Sequence, residues 1–438
     1  MKKAKVKNKI GVITLGCAKN TADTEALLAE LPENYEIANV EDSKMVLLNT
    51  CAFLKTARNE VFKQLNSLKN KKVILVGCLA GQLKKEIFKQ YPQAYAVVSG
   101  SHYAEIGGII QDVKRNKKIY AVSDEPTHFL DMPGKTLITP RSYAYVKIAE
   151  GCDNRCSFCL IPKLKGRYRS RPMLSIFTEI KELLSLGVKE IILVAQDCGY
   201  YGTDLYGKKS LTELLRKISS INQDFWLRVL YVYPERIDDE LLNLIAKSPK
   251  ICKYLDIPLQ HGDAEILKNM RRPYVIEKTL EKIAHIRKII PNITFRTSLI
   301  VGFPNETEKA FKNLEKFIKN INFDHVGVFE YSQEENTDAG SMKNQIPDKI
   351  KKLRRKKLML LQQKISYKNA KKLVGKFQKV LIEKYDPKRR IYIARSQRFS
   401  PEVDGQLFIK SKKPLEINSF YKAKVTKALP YDLEGIII

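Results

Sequence analysis

The sequence predicts an α/β protein of three modules: an N-terminal parallel βα domain, a partial (βα)6 barrel, and a small antiparallel, OB-like β-barrel at the C-terminus. Three observations carry this. Short apolar runs alternate with helical patterns from residue 9 to about 135, as strands of a parallel sheet covered by helices do. The alternation resumes from Tyr143 on a larger scale, with six strand candidates. Beyond Lys376 the helical patterns stop and only short β-type runs follow. A chain of 438 residues also exceeds the size at which one core keeps growing. The expected domains are 8–130, 138–370 and 373–438.

In the first module "KIGVITLG" precedes "NTADTEALLAEL", "KMVLLNT" precedes "TARNEVFKQLNSL", and "KKVILVG" precedes "AGQLKKEIFKQY". The basic start, the short run "IGVITL" and then Cys17 resemble a lipoprotein signal only superficially. The run is shorter than the roughly 7–15 residues of a signal core and reads as a strand. The proline-containing stretch 123–142 reads as a linker. Barrel strands are expected in "YAYVKIA", "KEIILVAQ", "WLRVLYVYP", "YLDIPLQ", "TFRTSLIVGFP" and "FDHVGVFEYS". Six units suit an open barrel better than the closed eight-fold one, and ligands collect at the C-terminal strand ends of either. Residues 346–364 form a helix with one basic face, its apolar spacing set by Leu353, Leu358, Leu360 and Leu361. The last module rests on "FQKVLIEKY", "RIYIARS", "GQLFIK" and "FYKAKVTKA".

Hydrophobic residues make up 44% of the chain, which excludes a wholly disordered protein. No apolar run approaches the ~20 residues of a membrane helix, so a cytoplasmic protein with no membrane partner is expected. Lys and Arg outnumber Asp and Glu by 78 to 48. That excess suits an anionic partner such as ribosomal or transfer RNA, or equally a set of solvated lysine-rich faces. Eight cysteines in such a compartment are not expected to form disulfides. Cys198 and Cys252 read as small core or loop residues; the other six stand in unusual contexts.

Cys152, Cys156 and Cys159 are spaced C-x3-C-x2-C directly after the first barrel strand, on one loop at the active face. Soft thiolates at this spacing bind a cubane iron–sulfur cluster through three irons, leaving a fourth open to a small molecule. Zinc and redox thiols are the competing readings. Cys17, Cys51 and Cys78 lie far apart in sequence, yet each follows an apolar strand and precedes a helix. In a parallel sheet those strand ends share one edge, so the three can converge on a second cluster. A buried core thiol is the alternative for any one of them. Gln196 and Asp197 end the second barrel strand, where cofactor-facing residues belong. His261 in "LQHGD" is read as a satisfied loop residue or a substrate contact. In "VGFPNETE", Gly302 and Pro304 shape a turn, and Thr307 or Asn305 caps the next helix.

The C-x3-C-x2-C motif with Phe158 before its last cysteine resembles the radical S-adenosylmethionine superfamily. The resemblance implies two 4Fe-4S clusters, S-adenosyl-L-methionine chelated at an open iron, and Phe158 beside the adenine or merely packed in its loop. Over nearly the whole chain the features resemble a methylthiotransferase: a three-cysteine domain, a radical S-adenosylmethionine barrel and a C-terminal TRAM domain. Three stretches are similar to its RimO branch, which modifies the β-carbon of an aspartate in the twelfth protein of the small ribosomal subunit: "TLGCAKNTADTE", "YLDIPLQHGDAEILKNMRRP", and "VGVFEYSQEENTDA" with "RSQRFSPEVDG". Ala18 and Ser400 are minor departures, at positions where proline and alanine are frequent. The implied partners are that ribosomal protein or the 30S ribosome, an electron donor, and RNA through the TRAM domain. From Lys376 onward fourteen basic residues stand against seven acidic ones, which keeps the transfer-RNA (MiaB-like) branch as the alternative. No catalytic side chain beyond the six cysteines is singled out.

Overall fold

Six strands of the N-terminal region, β1 (Asn8–Thr14), β2 (Tyr35–Ile37), β3 (Met45–Thr50), β4 (Lys72–Gly77), β5 (Ala94–Val98) and β6 (Ile119–Ala121), pair in the order β2-β1-β3-β4-β5-β6. Every pairing is parallel. The computed structural model describes residues 7–123, 134–272 and 275–438. Helices α1 (Ala18–Ala29), α2 (Lys55–Ser67), α3 (Ile87–Gln90) and α4 (Ile106–Lys114) connect the strands. All six positions of β3 are buried, because helices cover both faces of the sheet. On one face Leu47, Ile74 and Val76 pack with Leu27 of α1 and Ile106, Ile109 and Ile110 of α4. On the other, Val46, Leu48 and Leu75 pack with Val61 and Leu65 of α2 and Ile87 of α3. The single helix expected over 80–91 is instead a 3-10 turn at Ala80–Gln82 followed by the one-turn α3. Leu83 is extended, and its carbonyl accepts the Tyr120 hydroxyl at 2.7 Å instead of an intrahelical N–H. Half of the predicted 123–142 linker, residues 124–133, lies outside the described residues.

The chain divides into two compact units. One holds the described part of residues 1–138 together with 149–155 and 159–171; the other holds 139–148, 156–158 and the described part of 172–438. After β7 (Ala144–Lys147), which belongs to the second unit, β8 (Ala149–Glu150) and β9 (Arg169–Ser170) pair antiparallel in the first, with α5 (Ile161–Lys165) between them in sequence.

In the second unit β10 (Glu190–Val194), β11 (Trp226–Val229), β12 (Tyr254–Asp256), β13 (Thr294–Val301) and β14 (His325–Glu330) continue from β7, each at its predicted place. They form two parallel triplets, β7-β10-β11 and β12-β13-β14. A parallel bridge between Leu227 and Ile251, and the Val232 N–H bonded to the Asp256 carbonyl at 2.9 Å, join the triplets into one six-strand run. Among the described residues β7 and β14 do not pair, so the barrel is open. Helices α6 (Met173–Ser185), α7 (Thr203–Tyr206), α8 (Leu211–Ser219), α9 (Asp239–Lys247), α10 (Ala264–Asn269), α11 (Ile276–Ile289) and α12 (Glu308–Ile321) fill the crossovers.

The basic helix is α13 (Asp348–Lys371), but its leucines do not define the buried face. Leu353 and Leu360 are half exposed, while Lys351, Arg354, Leu358, Gln362 and Ser366 are buried. Partners on the barrel explain the exchange. Arg354 pairs with Glu306 at 3.0 Å and Glu308 at 2.7 Å, and the Gln362 and Ser366 side chains donate to the Phe323 and Asp324 carbonyls. Polar groups with partners on the barrel share with Leu358 the seam that the apolar spacing assigned to leucine.

The C-terminal module closes as a five-stranded barrel, β15 (Phe377–Asp386), β16 (Ile391–Ser396), β17 (Leu407–Lys410), β18 (Phe420–Ala428) and β19 (Leu433–Ile437), ordered β15-β16-β17-β19-β18. The fifth strand, "LEGII", is added to the four expected. It pairs with β17 in parallel, so the barrel is antiparallel at every seam but that one.

Candidate metal centres

The order β2-β1-β3-β4-β5 places a topological switch between β1 and β3, where open α/β sheets leave a crevice at the carboxyl ends of the strands. Cys17, Cys51 and Cys78 follow β1, β3 and β4, three adjacent parallel strands, and so share that edge. Their thiols are near enough to feel one another's charge. Burial pushes the Cys51 thiol up, the Phe53 backbone N–H opposes it, and a charge on Cys17 raises it further. Burial pushes Cys78 up to about 12; Lys165 opposes this, and charges on Cys17 and Cys51 add to it. Two of the three follow a glycine in a conformation other residues rarely adopt, Gly16 at φ +107° and Gly77 at φ +93°. A Cβ on Gly16 would lie 3.0 Å from the Cys51 Cβ, and one on Gly77 would lie 2.5 Å from the Thr50 carbonyl oxygen. The edge is braced by Asn20, whose Nδ2 donates to the Leu15 and Thr50 carbonyls at 2.8 and 3.2 Å and whose Oδ1 lies 3.8 Å from the Cys78 sulfur.

Lys165, not anticipated from the sequence, ties this edge to the segment carrying Cys152 and Cys159. Its ammonium lies 2.5 Å from Glu150 and 3.8 Å from Asp23, with all three side chains at most 7% exposed. Burial disfavours its charge, but Glu150, Cys78 and Asp23 outweigh that and hold its pKa well above the ordinary lysine value. Leu164 packs on the same core as Val46 and Leu75, so the α5 turn is seated on the N-terminal sheet. Cys152 too follows a left-handed glycine, Gly151 at φ +78°, where a Cβ would fall 2.0 Å from the Arg167 carbonyl oxygen.

Each sulfur of the C-x3-C-x2-C loop accepts an N–H, which is the environment a thiolate needs. In the first unit Asn154 Nδ2 donates to Cys152 and the Ile161 backbone N–H to Cys159, both at 3.4 Å. In the second unit Arg272 Nη1 donates to Cys156 at 3.3 Å. Among the described residues no group of three or more His, Cys, Asp or Glu side chains is arranged to hold a single metal ion. A cubane asks for something else, one thiolate on each of three irons and therefore a wider spacing. Both cysteine sets are all-thiolate, as such a cluster requires, and the C-x3-C-x2-C sulfurs also carry the N–H donors that suit a thiolate.

The barrel's C-terminal strand ends carry the other candidates. Phe158 packs edge-on to Phe303 at 6.5 Å, within a cluster that includes Ile266, Met270 and Tyr331. Gln196 is half buried, and its buried Oε1 has no hydrogen-bond partner among the described residues. Asp197 is buried, caps the Gly199 N–H at 3.1 Å and lies 3.6 Å from Arg236. Tyr231 and Gln260, just beyond β11 and β12, hold positive φ (58° and 72°), the local strain that gathers at working sites. His261 is fully buried and accepts the Asp263 N–H on Nδ1, but its Nε2, 3.7 Å from Glu306, has no hydrogen-bond partner among the described residues, so only one side of the ring is satisfied. In the neighbouring turn Thr307, not Asn305, caps α12, and Gly302 takes φ +72°. Cys198 and Cys252 are buried core thiols.

The stretch 395–405 docks at the opposite, N-terminal ends of the barrel strands. Arg395 and Arg228 both bond Glu190 at the start of β10, each at 2.6 Å. The hydroxyls of Tyr143 and Tyr145 donate to Glu402 at 3.0 Å. Asp404 accepts the Tyr254 hydroxyl at 2.7 Å and lies within 4 Å of Arg296 and His325.

Three family models match the chain: Uncharacterized protein family UPF0004 over residues 9–99, the Radical SAM superfamily over 146–318, and the TRAM domain over 374–438. Among curated relatives, the ribosomal protein uS12 methylthiotransferase RimO of Gloeobacter violaceus is 43% identical over 432 residues, covering 97% of this chain and 98% of the relative. The proteins of the same name from Desulforamulus reducens and a Thermoanaerobacter species are 41% and 42% identical, each covering 97% of this chain and 98% and 99% of the relative. Among solved structures, the radical S-adenosylmethionine methyltransferase TsrM of Kitasatospora setae aligns over 74% of this chain and 72% of its own, at 15% identity and a TM-score of 0.54. That likeness speaks for the fold alone. No helix among the described residues is long and apolar enough to cross a membrane.

Proposed function

Because the chain belongs to the RimO family of ribosomal protein uS12 methylthiotransferases, we propose that it attaches a methylthio group to the β-carbon of an aspartate in uS12, using two 4Fe-4S clusters and S-adenosyl-L-methionine. The observation that carries the two-cluster reading is the alignment of Cys17, Cys51 and Cys78 on adjacent strand ends, in the same compact unit as Cys152 and Cys159. When bound, the clusters and cofactor supply one-electron cleavage of S-adenosylmethionine and a sulfur atom for transfer.

The protein's own residues do the holding. Cys17, Cys51 and Cys78 grip the sulfur-carrying cluster; Cys152, Cys156 and Cys159 grip the other, each set leaving one iron for an exogenous ligand. Phe158 and Gln196 face the cofactor, the first by its apolar ring and the second by an amide oxygen that has no partner among the described residues. Lys165, by joining Asp23 on α1 to Glu150 before Cys152, keeps the two cysteine-bearing segments in register, the proximity that group transfer requires. The modules divide the labour as 8–130, 138–370 and 373–438. The basic C-terminal module contacts RNA of the 30S particle, a low-potential protein serves as electron donor, and the work is done in the cytoplasm.

Mass spectrometry of uS12 and of transfer RNA from a strain lacking this chain tests the assignment. Loss of the methylthio mass from uS12 alone is the expected result. Its loss from transfer RNA, with uS12 unchanged, would overturn it.

A further inference from the structure

One of the donors to the C-x3-C-x2-C sulfurs carries charge. Asn154 and the Ile161 backbone are neutral, whereas Arg272 is a guanidinium that stays protonated at any working pH. It is 5% exposed and held from several sides. Nη2 donates to the Pro258 carbonyl at 2.5 Å, Nη1 to the Tyr233 hydroxyl at 2.6 Å, and the guanidinium stacks 4.1 Å above the Tyr233 ring. The fork is therefore fixed, one arm on a backbone carbonyl and the other aimed at the Cys156 sulfur. The loop is fixed as well. Ser157 bonds the Met270 carbonyl through its N–H at 3.1 Å and the Asn269 carbonyl through its hydroxyl at 2.7 Å, so Cys156 is pinned to the α10 end that carries Arg272.

Building on the two-cluster reading, we propose that Arg272 is a positioning residue that sets the reduction potential of the cluster at Cys152, Cys156 and Cys159, through a charge-assisted N–H···S bond to Cys156. One electron from a low-potential donor makes the cluster more negative by one charge, with no bond made or broken. A buried positive charge on a ligand sulfur favours that reduced state, and hydrogen bonds to sulfur are among the levers that tune such potentials. At Cys78 the buried cation is Lys165, which is engaged by two carboxylates.

The test is a redox titration followed by electron paramagnetic resonance, on full-length protein carrying Cys17→Ala, Cys51→Ala and Cys78→Ala so that a single cluster reports. In this background Arg272→Gln should lower the reduced-to-oxidised ratio at a fixed potential at least tenfold, equivalent to about 59 mV for a one-electron couple. Arg272→Lys, which keeps the charge but loses the fork, should fall between. An unchanged midpoint in Arg272→Gln overturns the proposal, as does loss of iron from both variants, which would make Arg272 structural. If the parent with Arg272 intact binds no cluster, it is the two-cluster reading that fails instead.

Discussion

Replacing Lys165 by methionine would remove the ammonium that Asp23 and Glu150 share, each of them at most 7% exposed. Breaking a buried pair by removing one partner costs about 3–5 kcal/mol, because the remaining charge stays desolvated. For a unit of this size roughly 2–4 °C of melting temperature accompanies each kcal/mol, so the first unit should melt about 6–20 °C lower. The assay is thermal unfolding of the metal-free protein followed by circular dichroism, with Lys165→Met, Glu150→Gln and the double variant in one cycle. The double variant should recover at least half the loss, since Glu150→Gln removes the carboxylate nearest the lost ammonium. A drop below about 2 °C in Lys165→Met, or strict additivity in the cycle, would refute the claim that this ion pair joins the two cysteine-bearing segments.

Gly151→Ala should cut iron incorporation by about half while leaving the sheet folded, because its Cβ would strike the Arg167 carbonyl oxygen and displace Cys152; iron analysis after anaerobic reconstitution checks this. Burial raises the Asp404 pKa, but His325, Arg296 and the Tyr254 hydroxyl bring it below the ordinary carboxylate value. Its contribution is therefore present above about pH 3.9 and lost as pH falls through the lower folded value, so Asp404→Asn should flatten acid-unfolding curves in that window. Leu360→Gln should shift stability by less than about 0.5 kcal/mol, whereas Arg354→Ala, which strands the fully buried Glu306, should cost about 3 kcal/mol or more in denaturant titrations.

What the sequence made legible follows from pattern. Apolar runs located the barrel strands, and the rule that parallel strands end on one edge brought Cys17, Cys51 and Cys78 together before any coordinates did. Periodicity failed where polar groups are buried in pairs. Leucine spacing misassigned the inner face of α13, because Arg354, Gln362 and Ser366 have partners on the barrel that a hydrophobic count does not see. Lys165 and Arg272 were invisible for the same reason: each is a charge among many in a lysine-rich chain until its contacts are known. "LEGII" was too short and too near the terminus to be read as a fifth strand, although it closes the last barrel. The stretch "RSQRFSPEVDG" was used as a sign of substrate branch, yet its Arg395, Glu402 and Asp404 are spent on the floor of the neighbouring barrel.

That floor has a bearing on aim. With Arg395, Glu402 and Asp404 locked into the starts of the parallel strands, the five-stranded module is a rigid handle rather than a tethered arm. The eight residues of β13 alone measure about 26 Å at ~3.3 Å each, so a grip taken at one pole orients whatever happens at the other like a fixed-length ruler. A short peptide copied from the target, offered without the surrounding particle, would lose that alignment however well its sequence matched.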